Sequence, residues 1–124
     1  MIIDYLKDGG DECPLIRLRN GQSEDYDILT EAIKNLIKDD KEVDLFSLKG
    51  FHKGENIEKI TFTKGDVDRE ISEISRRSFI CQFTKENLLN IIEKLESYKI
   101  SQHGYNWLND DMGISLLLSY EGTW

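Results

Sequence analysis

Apolar residues recur at helical spacing twice along this chain and alternate at strand spacing in several short runs around them. Leu29, Ala32, Ile33, Leu36 and Ile37 fall on one stripe and predict an amphipathic helix over 24–38. Ser23 stands where an N-cap is wanted, Glu24, Asp25 and Asp27 fill the first turn, and Lys34 and Lys38 lie near the end, all matched to the helix dipole. Leu88, Ile91, Ile92 and Leu95 predict a second helix over 85–98, capped by Thr84.

Strands are predicted at 13–19, where Ile16 and Leu18 share a face and Pro14 marks a strand beginning or an edge. Further strands follow at 44–49, at 57–63 with Ile60 and Phe62 facing one way, and at 79–83 through Phe79, Cys81 and Phe83. Residues 105–108 read as extended, and 114–120 as a largely buried central strand. Residues 67–76 fit a helix through Val67, Ile71 and Ile74 or a strand through Arg69, Ile71 and Glu73. The strand is preferred, as a hairpin across Lys64-Gly65-Asp66. The expectation is a single α+β domain over 1–124, a mostly antiparallel sheet with both helices packed on one face. Unbroken strands between 44 and 83 argue against a doubly wound parallel sheet.

Charge changes the picture of function more than of fold. The 124 residues carry a formal net charge of −8, and residues 1–44 hold twelve acids against six bases. Such a field repels phosphate backbones and anionic lipid and attracts basic surfaces, so a nucleic acid or membrane partner is disfavoured. No glycine-rich phosphate cradle is present. The two cysteines, Cys13 and Cys81, make no disulfide framework, and Cys81 reads as a buried free thiol. His52 and His103 both sit in glycine-flanked loops, and no spacing pairs either with a cysteine as a nucleophile and base. Asp66, Asp68 and Glu70 alternate like oxygen donors but match no calcium loop. No catalytic residue, metal site or cofactor is therefore expected. With no basic leader and no apolar run of spanning length, the expected location is the cytoplasm.

Two groups of residues suit binding to a protein. The first is acidic: Asp8, Asp11 and Glu12, with Asp39, Asp40, Glu42 and Asp44. The second sets aromatics beside acids near the C-terminus: Tyr105, Trp107, Asp110, Asp111 and Trp124, with Tyr120 beside them. Large aromatics bury area at low entropy cost and anchor a partner's basic side chains.

The run Ser78-Phe79-Ile80-Cys81-Gln82-Phe83-Thr84-Lys85-Glu86-Asn87-Leu88 couples a strand into a capped helix. Gly104-Tyr105-Asn106-Trp107-Leu108, Ile114-Ser115-Leu116-Leu117-Leu118-Ser119 and Glu121-Gly122-Thr123-Trp124 follow it. Together these last 45 or so residues resemble the ends of small cytosolic immunity proteins of bacterial polymorphic toxin systems. The resemblance implies a protein without enzymatic activity that binds and blocks a cognate toxin domain, often a basic nuclease. It carries no functional residue across. The alternative expectation is a small-molecule-binding or self-assembling structural domain, with a homo-oligomer as one form of it.

Overall fold

The computed structural model describes residues 1–7, 14–101, 103–109 and 113–120. Strand β1 (Ile2–Leu6) pairs antiparallel with β2 (Leu15–Arg19), and helix α1 (Ser23–Asp39) follows. After β3 (Val43–Asp44) come a 3-10 turn at Leu45–Ser47 and the short β4 (His52–Lys53). Then follow β5 (Lys59–Lys64), β6 (Ser72–Ser75), β7 (Ser78–Phe83), helix α2 (Lys85–Ser101), β8 (Tyr105–Asn109) and β9 (Ser115–Ser119). The architecture is α+β, with the helices packed on sheets of five and four strands.

The sheet arrangement differs in detail from a single antiparallel layer. The five-stranded sheet runs β4-β1-β2-β9-β8 and the four-stranded sheet β3-β5-β7-β6, and each mixes parallel with antiparallel pairs. The hairpin that forms is β6–β7, not β5–β6, and β7 inserts between them parallel to β5. Burial explains the choice. Phe79, Cys81 and Phe83 of β7 are fully buried and earn the central place, whereas all four residues of β6 are exposed and suit an edge. Arg77, at φ 61°, makes the tight reversal between them.

Other local expectations are corrected by specific contacts. The strand expected over 44–49 ends at Asp44, whose Oδ1 accepts the Phe46 N–H at 3.1 Å and turns the chain into the 3-10 turn. The cap of α1 is Gln22 rather than Ser23, because Asp25 reaches back to accept the Gln22 N–H at 2.8 Å. Thr84 does cap α2, accepting the Asn87 N–H at 3.2 Å. Pro14 precedes an interior strand, so it marks a beginning and not an edge.

One apolar cluster joins both sheets and both helices, through Ile3, Ile16, Leu18, Leu116 and Leu118 of the larger sheet and Ile60, Phe62, Phe79 and Phe83 of the smaller. Tyr5 and Phe79 bridge the sheets with ring centroids 4.6 Å apart, a contact of about 1 kcal/mol beyond its buried area. Burial of the Cys81 thiol in this core raises its pKa, so it packs as a small apolar group. Among the described residues no helix is long and apolar enough to cross a membrane.

Candidate interaction surface

Strand register decides which residues of the larger sheet meet. Ile3, Leu18, Leu118 and Asn106 lie in one cross-strand row, so their side chains share the core face. The next rows fall on the opposite face: Ile2, Arg19, Ser119 and Tyr105, then Asp4, Arg17, Leu117 and Trp107. Tyr105 and Trp107 are thus neighbours on the free edge strand, their ring centroids 6.4 Å apart, with Tyr105 52% exposed and Trp107 half-buried.

The opposite face holds a charged centre that the hydropathy pattern did not announce. Asp4 is completely buried, and its Oδ2 accepts from Arg17 Nε at 3.1 Å, Arg17 Nη2 at 3.0 Å and Arg19 Nε at 2.7 Å. Its Oδ1 accepts the Glu55 N–H at 2.8 Å, which ties the chain after β4 to β1. Burial alone would raise the Asp4 pKa. The Arg19, Glu55 and Arg17 hydrogen bonds outweigh burial and hold the carboxyl below its ordinary value. Gly54 is required here, since a Cβ at that position would collide with Asp4 Oδ1 and crowd the Ile3 carbonyl. A sequence signal existed: Asp4 interrupts an apolar run, and Arg17 and Arg19 alternate with Ile16 and Leu18, as a cross-strand ion cluster would.

Asp25 is the second buried acid. Besides the Gln22 N–H, its Oδ2 accepts from the Met1 ammonium at 3.0 Å, which also donates to the Gly50 carbonyl at 2.7 Å.

The acids at 39–44 are less available than their number suggests. Asp39 ends α1 and is exposed. Asp40, in the left-handed region at φ 54°, donates its N–H to Leu36 O, and its carboxylate pairs with Lys64 Nζ at 2.8 Å. Asp44 is committed to the 3-10 turn, which also ties the Ser47 hydroxyl to the Asp44 carbonyl at 2.6 Å. Glu42 and Asp44 line a groove of about 200 Å³ with Ala32, Leu48 and Lys41. Lys38, Lys41 and Lys64 together offset most of this charge.

Asp8, Asp11, Glu12, Asp110, Asp111 and Trp124 lie outside the described residues, but the strands bounding two of these stretches are placed. Leu6 pairs with Leu15, Leu15 with Ser115, and Leu116 with Asn109, so the strand ends that bound 8–13 and 110–112 lie at the same end of the sheet. The exposed Glu70 belongs to this end too. Ile71 bridges to Ile114, and a methyl group on Gly113 would lie 3.6 Å from Glu70 Oε2. Tyr105, by contrast, starts β8 at the far end of the strand, and the 39–44 acids flank an edge of the other sheet. Each expected group is therefore divided: the strand ends bounding 8–13 and 110–112 share one sheet end, and Tyr105 and the 39–44 acids lie away from it.

Among the described residues the remaining chemical candidates are not brought together, and Cys13 lies outside them. His103 is exposed, with Nδ1 3.2 Å from Ser101 O, whereas Cys81 sits in the core. His52 is exposed on β4. Asp68 accepts from Thr84 N at 2.8 Å and from Asn87 Nδ2 at 3.3 Å, a second brace on the start of α2. Among the described residues no three His, Cys, Asp or Glu side chains gather as a metal would need. Neither the protein-family models nor the curated proteins compared with this chain give a match.

Proposed function

We propose that this chain is a non-catalytic binding protein that captures a basic protein partner at the acidic end of its five-stranded sheet, as an immunity protein or inhibitor would. The observation that carries the reading is that the strand ends bounding two connections lie at one end of the sheet. Together those connections hold Asp8, Asp11, Glu12, Asp110 and Asp111 against a single base, Lys7. Opposite charge concentrated in one place steers encounter and raises association rates by about ten- to a thousandfold, falling with salt. The partner fitting this surface is a basic domain whose own function requires positive charge, and occlusion of that charge is the inhibitory act.

The test begins with tagged capture from a lysate of the protein's own source, washed at low and then high salt. A single basic partner held in equal amounts is the expected yield. Its association rate is then compared across two neutralised variants. Asp8→Asn, Asp11→Asn, Glu12→Gln, Asp110→Asn and Asp111→Asn together should slow association about tenfold, while Asp39→Asn with Glu42→Gln should change it less than about twofold. Equal rates in the two variants would overturn the reading. Recovery of the protein alone, from a lysate shown to contain basic candidate partners, would do the same.

A further inference from the structure

Helix α2 and the edge strand β8 border a groove that the core does not fill. Asn87, Asn90, Lys94 and Ser97 follow one another at three- and four-residue steps, so they form one stripe of the helix. With Glu93, and with Asn106 of β8, they line one cavity of about 330 Å³, at the small end of the range for ligand sites. All six side chains border the same space, and all six are polar.

Two of the six are held in place by the fold. Asn87 Nδ2 donates to Asp68 Oδ1 at 3.3 Å and to Asn109 Oδ1 at 3.5 Å. Both amide protons are thereby used, and Asn87 Oδ1 is left as an acceptor. Lys94 Nζ donates to the Leu108 carbonyl at 3.4 Å, which ties it to β8 and leaves two of its three protons. The other four are uncommitted: the side chains of Asn90, Glu93, Ser97 and Asn106 bond to no described residue. Asn106 is half-buried all the same, on the face of β8 that the helix covers.

This donor set selects a chemistry. One carboxylate and one ammonium cancel, so the groove favours no ion of either sign. Without an aromatic or aliphatic side chain in its lining, it gains little from an apolar ligand. Amides, a hydroxyl and the two charged groups set donors beside acceptors. That is the match for neighbouring hydroxyls, each of which both donates and accepts. A second cavity, of about 380 Å³, borders Asn87 and Asn90 along Asp68, Thr84 and Glu86, so the groove extends towards the start of α2.

We infer that the groove between α2 and β8 binds a neutral sugar, with one ring seated among Asn87, Asn90, Lys94 and Asn106. Asn87 Oδ1 accepts from one ring hydroxyl and the Lys94 ammonium donates to another, while the Asn90 and Asn106 amides each donate and accept. A second, linked ring would continue past Asn87 into the adjoining cavity. The acids of the basic-partner reading are none of these residues, so either reading can fail without the other.

The test is an NMR titration of the full chain with the methyl glycosides of glucose, galactose and mannose in turn, and with glycerol as an acyclic control. At least one glycoside should give saturating shifts at the side-chain amides of Asn87, Asn90 and Asn106. The dissociation constant should be on the order of 1 mM, the strength of a few neutral hydrogen bonds in an open site. Asn90→Ala and Asn106→Ala should each weaken binding about fivefold, the loss of one net hydrogen bond. Asn90 is exposed on α2, where alanine is the better helix former, so that variant tests the site with the fold intact. Asn35→Ala, on the separate groove beside α1, should bind as the parent does. Shifts that grow without saturating for all three glycosides, or glycerol saturating the same amides as tightly, would overturn the proposal. Unchanged binding in both groove variants would do the same.

Discussion

The 39–44 connector carries four acids, and the two strand connections at 8–13 and 110–112 carry five; what differs is the company each group keeps. Around the connector, Lys38 and Lys41 interleave with the acids, Lys64 pairs with Asp40, and Asp44 is spent on a backbone N–H. The strand connections hold one base, Lys7, against those five acids, and register sets the strand ends that bound both at one end of the sheet. A carboxylate satisfied by backbone donors and cations holds the fold and projects little field. Acid count along a sequence is therefore a poor guide to acid potential in space, and the variants that separate the two roles range from severe to almost silent.

The most severe is Asp4→Ala. Removing a fully buried carboxylate takes an acceptor from two guanidiniums and from the Glu55 N–H, and loss of one member of a buried ion cluster costs about 3–5 kcal/mol. Urea unfolding measures this directly. A loss below about 1 kcal/mol would show that water replaces the cluster at little cost. The pH dependence has a definite sign. Because the folded-state pKa of Asp4 lies below its unfolded value, its contribution is complete well above about pH 4. That contribution is lost as pH falls through the unfolded value towards the lower folded one. Stability of the parent should fall on acidification through that window more steeply than stability of Asp4→Ala.

Next comes Asp25→Ala, which removes the acceptor of both the Gln22 N–H and the Met1 ammonium and should cost about 2 kcal/mol. Asp44→Ala loses a single turn-capping bond and should cost about 1 kcal/mol. These two acids and Asp4 share one property, a named donor in the fold. If Asp44→Ala proved neutral, the 39–44 acids would all belong to the solvated surface, and the contrast with the strand connections would rest on charge balance alone.

Much of this arrangement was legible in the sequence, for physical reasons that also mark where legibility ends. Both helices declare themselves because an amphipathic stripe repeats over four turns, and β7 and β9 because burial demands apolar residues at fixed period. β1 gave no such signal: Ile2 and Ile3 are adjacent, and Asp4 sits inside the strand with its partner arginines 13 and 15 residues away. Pairing order was equally hidden. The Gly65 turn invites a local hairpin, but the more apolar β7 displaces β6 from that place, a preference visible only when whole strands compete for burial. For the expected binding residues, the sequence revealed charge and not its neutralisation. Lys64 is 24 residues from Asp40 along the chain and 2.8 Å away in space.

The smallest predicted effect bears hardest on the contrast. Asp39 and Glu42 are exposed, and their carboxylates pair with no other described residue, so Asp39→Asn with Glu42→Gln should leave unfolding free energy within about 0.5 kcal/mol of the parent. Salt should matter little to that difference, since nearby lysines already offset the field these acids would project. A gain in stability at low salt, vanishing at high salt, would mean that the acids were repelling one another and that Lys38, Lys41 and Lys64 do not balance them. The connector would then be a negative patch in its own right, on a different sheet edge from the strand connections. A basic partner would then face two acidic surfaces, and charge alone would no longer choose between them.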